Sequence, residues 1–229
     1  MSEPAGRVIA IGDIHGYPAA LDAVLRALEP TPADTLVFLG DYADRGPDSR
    51  GVLERLIELR RRLPIVTILG NHDEMLLAAR THPRILADWL DFGGDATLRS
   101  YGVDHAQDLP AEHVEMLSSC VDFYATDRYL FAHGSYDPEL PLEEQPWNLL
   151  RWESIRDGPP AAHSSGRTAI LGHTSQKDGQ ILDLGHLVCI DTYAYGGGWL
   201  TAYEPQTGRT WQADRQGRLC PDPPQLPPR

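Results

Sequence analysis

The feature that most limits the fold is a repeat of short apolar runs, each ending in glycine and a residue that can carry chemistry. Val8-Ile9-Ala10-Ile11 leads into Gly12-Asp13-Ile14-His15-Gly16. Residues 35–39 lead into Gly40-Asp41-Tyr42-Ala43-Asp44-Arg45-Gly46, and residues 65–69 into Gly70-Asn71-His72-Asp73. Apolar runs this short, bounded by glycine, predict buried strands rather than helices. Between them the apolar period changes. Leu21, Val24, Leu25 and Leu28 mark a helix over 18–28, with Pro18 near its start and Pro30 after its end. Val52, Leu53, Leu56, Ile57 and Leu59 mark another over 49–63, stopped by Pro64. Strand, polar loop and helix in repetition predict an α/β fold with mostly parallel strands. Right-handed crossovers then bring the strand-end loops to one edge, which is where open α/β sheets place their ligands.

Beyond residue 73 the pattern changes. Residues 74–122 read as helical, broken at Gly93-Gly94 and Gly102, and suit a cap or insertion. Strand character returns at 123–126 and 129–132, a hairpin whose second arm ends in His133-Gly134. Residues 138–160 are loop-rich, and 168–171 form a strand ending in Gly172-His173-Thr174. Two more strands, 180–184 and 186–191, precede a hairpin over 199–213 that turns at Gln206-Thr207-Gly208. One catalytic domain over 1–215 is expected. The proline-dense remainder, 216–229, is expected to be extended and poorly ordered.

Composition excludes several functions. With 41% hydrophobic and 23% charged residues the chain is ordinary for a soluble protein, and no apolar run reaches membrane-spanning length. The start, Met1 to Arg7, shows no basic stretch followed by an apolar one, so no secretory leader is expected. Cys120, Cys189 and Cys220 are odd in number and far apart, against a disulfide framework or a cysteine-rich zinc site. A cytoplasmic monomer or weak oligomer is expected. A net charge of −13 disfavours nucleic-acid binding, which needs a basic face. It does not disfavour an anionic substrate, because metal ions and a few arginines can reverse the field inside one pocket.

Asp13, His15, Asp41, Asn71, His133 and His173 all follow apolar runs beside a glycine. A single such residue is ordinary turn chemistry. Five loops on one sheet edge are not. Carboxylate, imidazole and amide oxygen together suit manganese, iron or zinc better than a dedicated calcium site. A carboxylate bridging two such ions would serve phosphoryl displacement.

In this order the segments 12–16, 40–46, 70–73, 133–134 and 172–174 resemble the motif series of the calcineurin-like metallophosphoesterases, over roughly residues 7–213. More narrowly, they are similar to the bacterial and phage phosphoprotein phosphatases and to the symmetrical diadenosine tetraphosphatases. The resemblance implies a sandwich of two mixed β-sheets flanked by helices, with a helical cap. It implies two divalent ions, manganese first, with iron, zinc or nickel as alternatives. Asp13 and His15 would hold one ion and Asn71, His133 and His173 the other, with Asp41 bridging. Arg45 would grip phosphate. His72, paired with Asp44, would protonate the leaving group while hydroxide bound at the dinuclear site attacks. Arg151 is the expected second phosphate-binding arginine, with Arg156 and Arg167 as alternatives. Tyr193, standing where the family has glycine, is expected to close a pocket wall, and Asp191 to support a metal ligand. The implied substrates are phosphomonoesters, first phosphoserine and phosphothreonine proteins. Dinucleoside polyphosphates or small phosphoesters are the alternative, with Tyr42, Trp152 and Tyr193 as walls for adenine. A non-catalytic metal-binding regulator would lack a ligand, the acid or the arginine, and all are present.

Overall fold

The computed structural model describes residues 6–229; residues 1–5, part of the stretch read for a leader, lie outside them. The first sheet holds β1 (Val8–Ile11), β2 (Thr35–Phe38), β3 (Ile65–Thr67), β9 (Asp191–Thr192), β10 (Trp199–Glu204) and β11 (Arg209–Ala213). Its order is β11-β10-β1-β2-β3, with β9 on β10. β1, β2 and β3 run parallel, pairing Ile11 with Phe38 and Phe38 with Thr67, so the loops after them emerge side by side. The second sheet holds β4 (Phe123–Ala125), β5 (Tyr129–Ala132), β6 (Thr168–Leu171), β7 (Leu182–Asp183) and β8 (Leu187–Cys189), in the order β4-β5-β6-β8-β7. β5, β6 and β8 are parallel, and antiparallel strands close both edges.

Alternation along the strands builds the layers. Val8, Ala10 and Val37 face Phe131, Ile170 and Val188 across the sandwich. Ile9, Ile11, Leu36 and Phe38 face α1 (Pro18–Leu28) and α2 (Ser49–Arg60). Leu130, Leu171 and Leu187 pack on the outer side with Leu150 of α7 (Trp147–Trp152). Strands covered on both faces are apolar throughout, which is why they read as unbroken runs. Each fully buried Leu or Ile contributes about 1.5–3 kcal/mol.

The helical segment is α3 (Asn71–Ala79), α4 (Pro83–Trp89), α5 (Asp95–Tyr101) and α6 (Ala111–Ser118), with a wide turn at Leu90–Gly94 joining α4 to α5. It starts three residues earlier than the sequence pattern predicts. Asn71, His72 and Asp73 form the first helical turn of α3, not a loop. Asp73 accepts from Gly70 N at 3.2 Å and Tyr42 N at 3.1 Å. It caps the helix and joins two of the site's loops.

The tail, expected to be extended, runs back along the sandwich. Leu226 N donates to Gly208 O at 2.9 Å, Arg229 N to Pro205 O at 2.8 Å, and Tyr129 Oη to Arg229 O at 2.8 Å. The Arg229 guanidinium pairs with Asp183. Prolines keep the tail extended, and several of its polar groups find partners on the sandwich.

Candidate active site

The site is built where backbone strain collects. Among the described residues, non-glycine positive φ angles occur at His15, Glu29, Asp41, Asp44, Arg45, His173 and Tyr193. All except Glu29 lie in or beside the site loops. Side chains adopt this region at a cost, and the rest of the fold must hold them there. The glycines explain how the loops come so close. Gly40 has φ +108, and a Cβ there would meet Gly70 N and His133 Nδ1 within 2.8 Å; a Cβ at Gly70 would meet Asp41 Oδ1 at 2.2 Å.

Three imidazoles are fixed from outside. The Nδ1–H of His15 donates to Ala43 O at 3.0 Å, and that of His133 to Leu39 O at 2.8 Å. The Nε2–H of His173 donates to Trp152 O at 3.0 Å. The other nitrogen of each ring therefore presents a lone pair inward. His15 Nε2 faces Asp41 Oδ2 at 3.4 Å. His133 Nε2 faces Asp41 Oδ1 at 3.3 Å and Asn71 Oδ1 at 3.0 Å; His173 Nδ1 faces Asn71 Oδ1 at 3.0 Å. Lone pairs facing oxygen acceptors need a cation between them, and outer N–H bonds to carbonyls orient metal-ligating histidines in the same way.

The electrostatics agree. Burial, then the charges of Asp191 and Asp41, push Asp13 well above the usual carboxylate range. Burial also pushes Asp191 up. Burial opposes the charge on Asp41 too, and positive charge at the surrounding positions of His133, His72, His15 and His173 is what would hold this carboxyl low; with the rings neutral, a cation has to supply it. Burial drives His15 well down, and burial plus His133 takes His173 to about 4, so both rings are neutral, as ligands must be. Neutral imidazoles around carboxylates short of positive charge fit divalent ions. Metal-capable atoms gather in two groups around Asp41, one with His15 and His72 and one with His133 and His173; His72 has both ring nitrogens engaged, by Asp44 and Arg45, which leaves His15 and Asp41 as the free ligands of the first group. Asp13 stands slightly apart: both its oxygens accept from His173 N, at 3.1 and 3.2 Å.

Beside this cluster, His72 Nδ1–H donates to Asp44 Oδ2 at 2.8 Å. A guanidinium only donates, so His72 Nε2 accepts from Arg45 Nη2, 2.8 Å away. Asp44 is fully buried and held by the helical segment: Trp89 Nε1–H reaches its two oxygens at 3.0 and 2.9 Å, and Thr97 Oγ1–H donates at 2.7 Å. Burial raises Asp44, against the pull of His72. Arg45 lies over the Tyr195 ring, 4.0 Å from its centroid, and its N–H donates to Gly93 O at 3.1 Å.

A cavity of about 300 Å³ opens over these groups, lined by His15, Asp41, Arg45, Asn71, His72 and His173, with Ser154, Arg156, Thr174, Ser175, Lys177 and Tyr195. Some expected residues lie elsewhere. Arg151 is drawn off by acidic partners: Nε donates to Asp122 Oδ1 at 2.8 Å and Nη1 pairs with Glu74 at 3.0 Å. Arg167 donates to Thr126 O at the opposite end of β6. Of the three arginines considered, only Arg156 lines the cavity. Tyr193 does not line it either; its ring packs edge-on against Tyr195, which does. Tyr42 is core, its hydroxyl bonded to Ile68 O at 2.6 Å. Trp152 lines a neighbouring apolar groove of about 470 Å³ with Phe92 and Trp147. No hydrogen bond joins Asp191 to a ligand side chain among the described residues; it accepts from Ser175 Oγ at 2.6 Å and Tyr193 N at 3.0 Å, bracing two loops. His163 is buried between Ser165 Oγ and Leu140 O, away from the cavity. His113 is buried beside Tyr101.

Trp89, Thr97 and Tyr195 were not foreseeable as site residues. Trp89 read as one more apolar position. Its sequence signal is Gly94, whose Cβ would lie 2.3 Å from the indole.

The chain is similar to several known proteins. A serine/threonine-protein phosphatase 1 from Salmonella typhimurium is 31% identical over 207 residues, covering 85% of this chain and 89% of its own. A symmetrical bis(5'-nucleosyl)-tetraphosphatase from Janthinobacterium is 29% identical over 156 residues, 66% of this chain; the match spans 51% of that relative. A solved structure described as a candidate diadenosine tetraphosphatase superposes with a TM-score of 0.72 at 25% identity, covering 93% of this chain and 95% of its own. The family model for calcineurin-like phosphoesterases matches residues 6–196, which take in every strand-end loop of the site. The chain therefore belongs to the calcineurin-like phosphoesterases, a family of metal-dependent phosphatases.

Proposed function

We propose that the cavity hydrolyses phosphoesters, with His72 as the acid for the leaving group. The observation that carries this reading is the line Asp44–His72–Arg45 beside two donor groups that share Asp41. In this reading Asp13, His15 and Asp41 hold one divalent ion, and Asp41, Asn71, His133 and His173 the other. Bound there, such ions acidify a water nucleophile and neutralise phosphoryl oxygens.

The chain's own residues supply the remainder. Arg45 leaves His72 and forks onto the phosphoryl oxygens. That frees His72 Nε2 to carry a proton, which passes to the departing alkoxide oxygen. Asp44 keeps the other nitrogen protonated and steadies the imidazolium before transfer. Trp89 and Thr97 keep Asp44 from turning away. Tyr195 stacks under Arg45 and limits its swing.

Two substrate classes follow from the relatives. Phosphoserine and phosphothreonine proteins are supported by the Salmonella relative, whose match spans most of both chains. Dinucleoside polyphosphates are supported by the tetraphosphatase relatives, and by two further cations on the cavity wall, Arg156 and Lys177. The test is reconstitution with manganese, followed by hydrolysis of p-nitrophenyl phosphate, a phosphothreonine peptide and diadenosine tetraphosphate. Turnover of at least one is expected. Inactivity on all three with manganese, iron, zinc and nickel would overturn the reading.

A further inference from the structure

The sequence contains 19 arginines and a single lysine, and that lysine, Lys177, lines the cavity. It is exposed and makes no hydrogen bond or ion pair with any described residue. Elsewhere arginines are widely paired with carboxylates: Arg7 with Asp34, Arg55 with Asp22, Arg151 with Glu74 and Asp122. Arg156, also on the cavity wall, has no carboxylate partner; its guanidinium donates to Ser175 O at 3.2 Å. In a chain of net charge −13, two cations left without counter-ions beside the site mark a place for an anion.

Their position is built. Ile155 N donates to Thr174 Oγ1 at 3.0 Å, and Ser154 Oγ lies 3.4 Å from the same hydroxyl. With the Arg156–Ser175 bond, these contacts stitch the segment carrying Arg156 to the one carrying Lys177. Ser175 is held in turn by Asp191 at 2.6 Å. Both cations stand on one wall, while Arg45 and His72 belong to the loops and helix after β2 and β3. The phosphoryl group being cleaved already has Arg45 and the shared metal-donor cluster. With that group so served, Arg156, the one of the three candidate phosphate arginines on the cavity wall, and Lys177 are left for another anion.

We propose that Lys177 and Arg156 bind a second, non-scissile phosphoryl group, so that the site favours substrates with two or more linked phosphates over simple monoesters. This rests on the phosphoesterase reading above and deepens it. The division of labour suits the two side chains. Arg156 is oriented by its carbonyl bond, whereas Lys177 is a mobile point charge with three donors that can follow an oxygen whose position varies.

AMP and ADP share base and sugar and differ by one phosphoryl group. Their affinities would be measured on the full-length, manganese-loaded protein by calorimetry and as inhibitors of p-nitrophenyl phosphate hydrolysis, with the ion in excess. ADP is expected to bind at least about tenfold tighter than AMP, roughly one decade of affinity for a charge-assisted contact. Lys177→Met and Arg156→Gln should each shrink that ratio, the double variant should bring it near one, and Lys177→Arg should retain most of it. Equal affinities in the wild type, or a ratio that survives the double variant, overturns the proposal. Calorimetry reads the ratio without turnover. An inactive protein with the expected ratio would count against the hydrolytic reading alone, and an active one without it against this proposal alone.

Discussion

Both nitrogens of the His72 ring are engaged, one by Asp44 and one by Arg45. Its role can therefore be tested by leaving group. Replacing His72 with Asn should cost about 10²–10⁴-fold in kcat on an alkyl phosphate, the range of general acid catalysis. On p-nitrophenyl phosphate, whose phenolate departs without a proton, the loss should be far smaller. Equal losses on the two would remove His72 from the acid role. Such residues were legible because each sits beside a glycine at the end of an apolar run. Arg151 shows the limit of that reading. Its place in the chain fits a phosphate ligand, but Asp122 and Glu74, 29 and 77 positions away, take its guanidinium.

At the scale of elements, the helical segment behaves as a brace. The sequence pattern suits a cap or insertion there. The structure shows α4 and α5 reaching beneath the site, where Trp89 and Thr97 hold Asp44. Trp89→Phe keeps the aromatic bulk but removes a donor from a buried carboxylate, a loss of about 1–3 kcal/mol. The expected result is a lower kcat and a shifted pH–rate profile together with a fall in Tm of roughly 2–12 °C; a fall in Tm with an unchanged profile would make Trp89 packing alone. A second element-level prediction concerns the entry to β1. Asp34 accepts from Arg7 Nη2 at 2.7 Å and from Thr31 N at 2.8 Å. Chiefly the Arg7 bond holds this carboxyl well below its usual 3.8. A depressed folded-state value stabilises above pH 3.8, and the gain is lost as pH falls through the folded value. Asp34→Asn should thus lower stability by about 1–3 kcal/mol at pH 7, with the gap to wild type closing on acidification below pH 3.8. Denaturant unfolding across pH checks this; a gap that does not narrow would deny the ion pair its role.

Across the whole molecule, the donors of the site come from both sheets and from α3, so a cation bound there ties these parts together. Chelation should abolish hydrolysis, and returning a divalent ion should restore it. The folded state should gain about 2.7 kcal/mol at an ion concentration 100 times Kd, measurable as a rise in Tm. A Tm indifferent to metal would argue against the cluster as a binding site. No described helix is long and apolar enough to cross a membrane.

By itself the sequence determined the α/β class, the parallel strands and the loops that carry Asp13, His15, Asp41, Asn71, His133 and His173. These follow from local pattern: apolar period, glycine position, and the rule that crossovers return strand ends to one edge. Only the tertiary structure decided which cations are free. Arg151 is neutralised by distant carboxylates, Lys177 and Arg156 are not, and Tyr195 rather than Tyr193 meets Arg45. The same holds for Trp89, whose indole meets Asp44 across 45 positions. Charge pairing and burial depend on neighbours far apart in the chain, which local pattern does not encode.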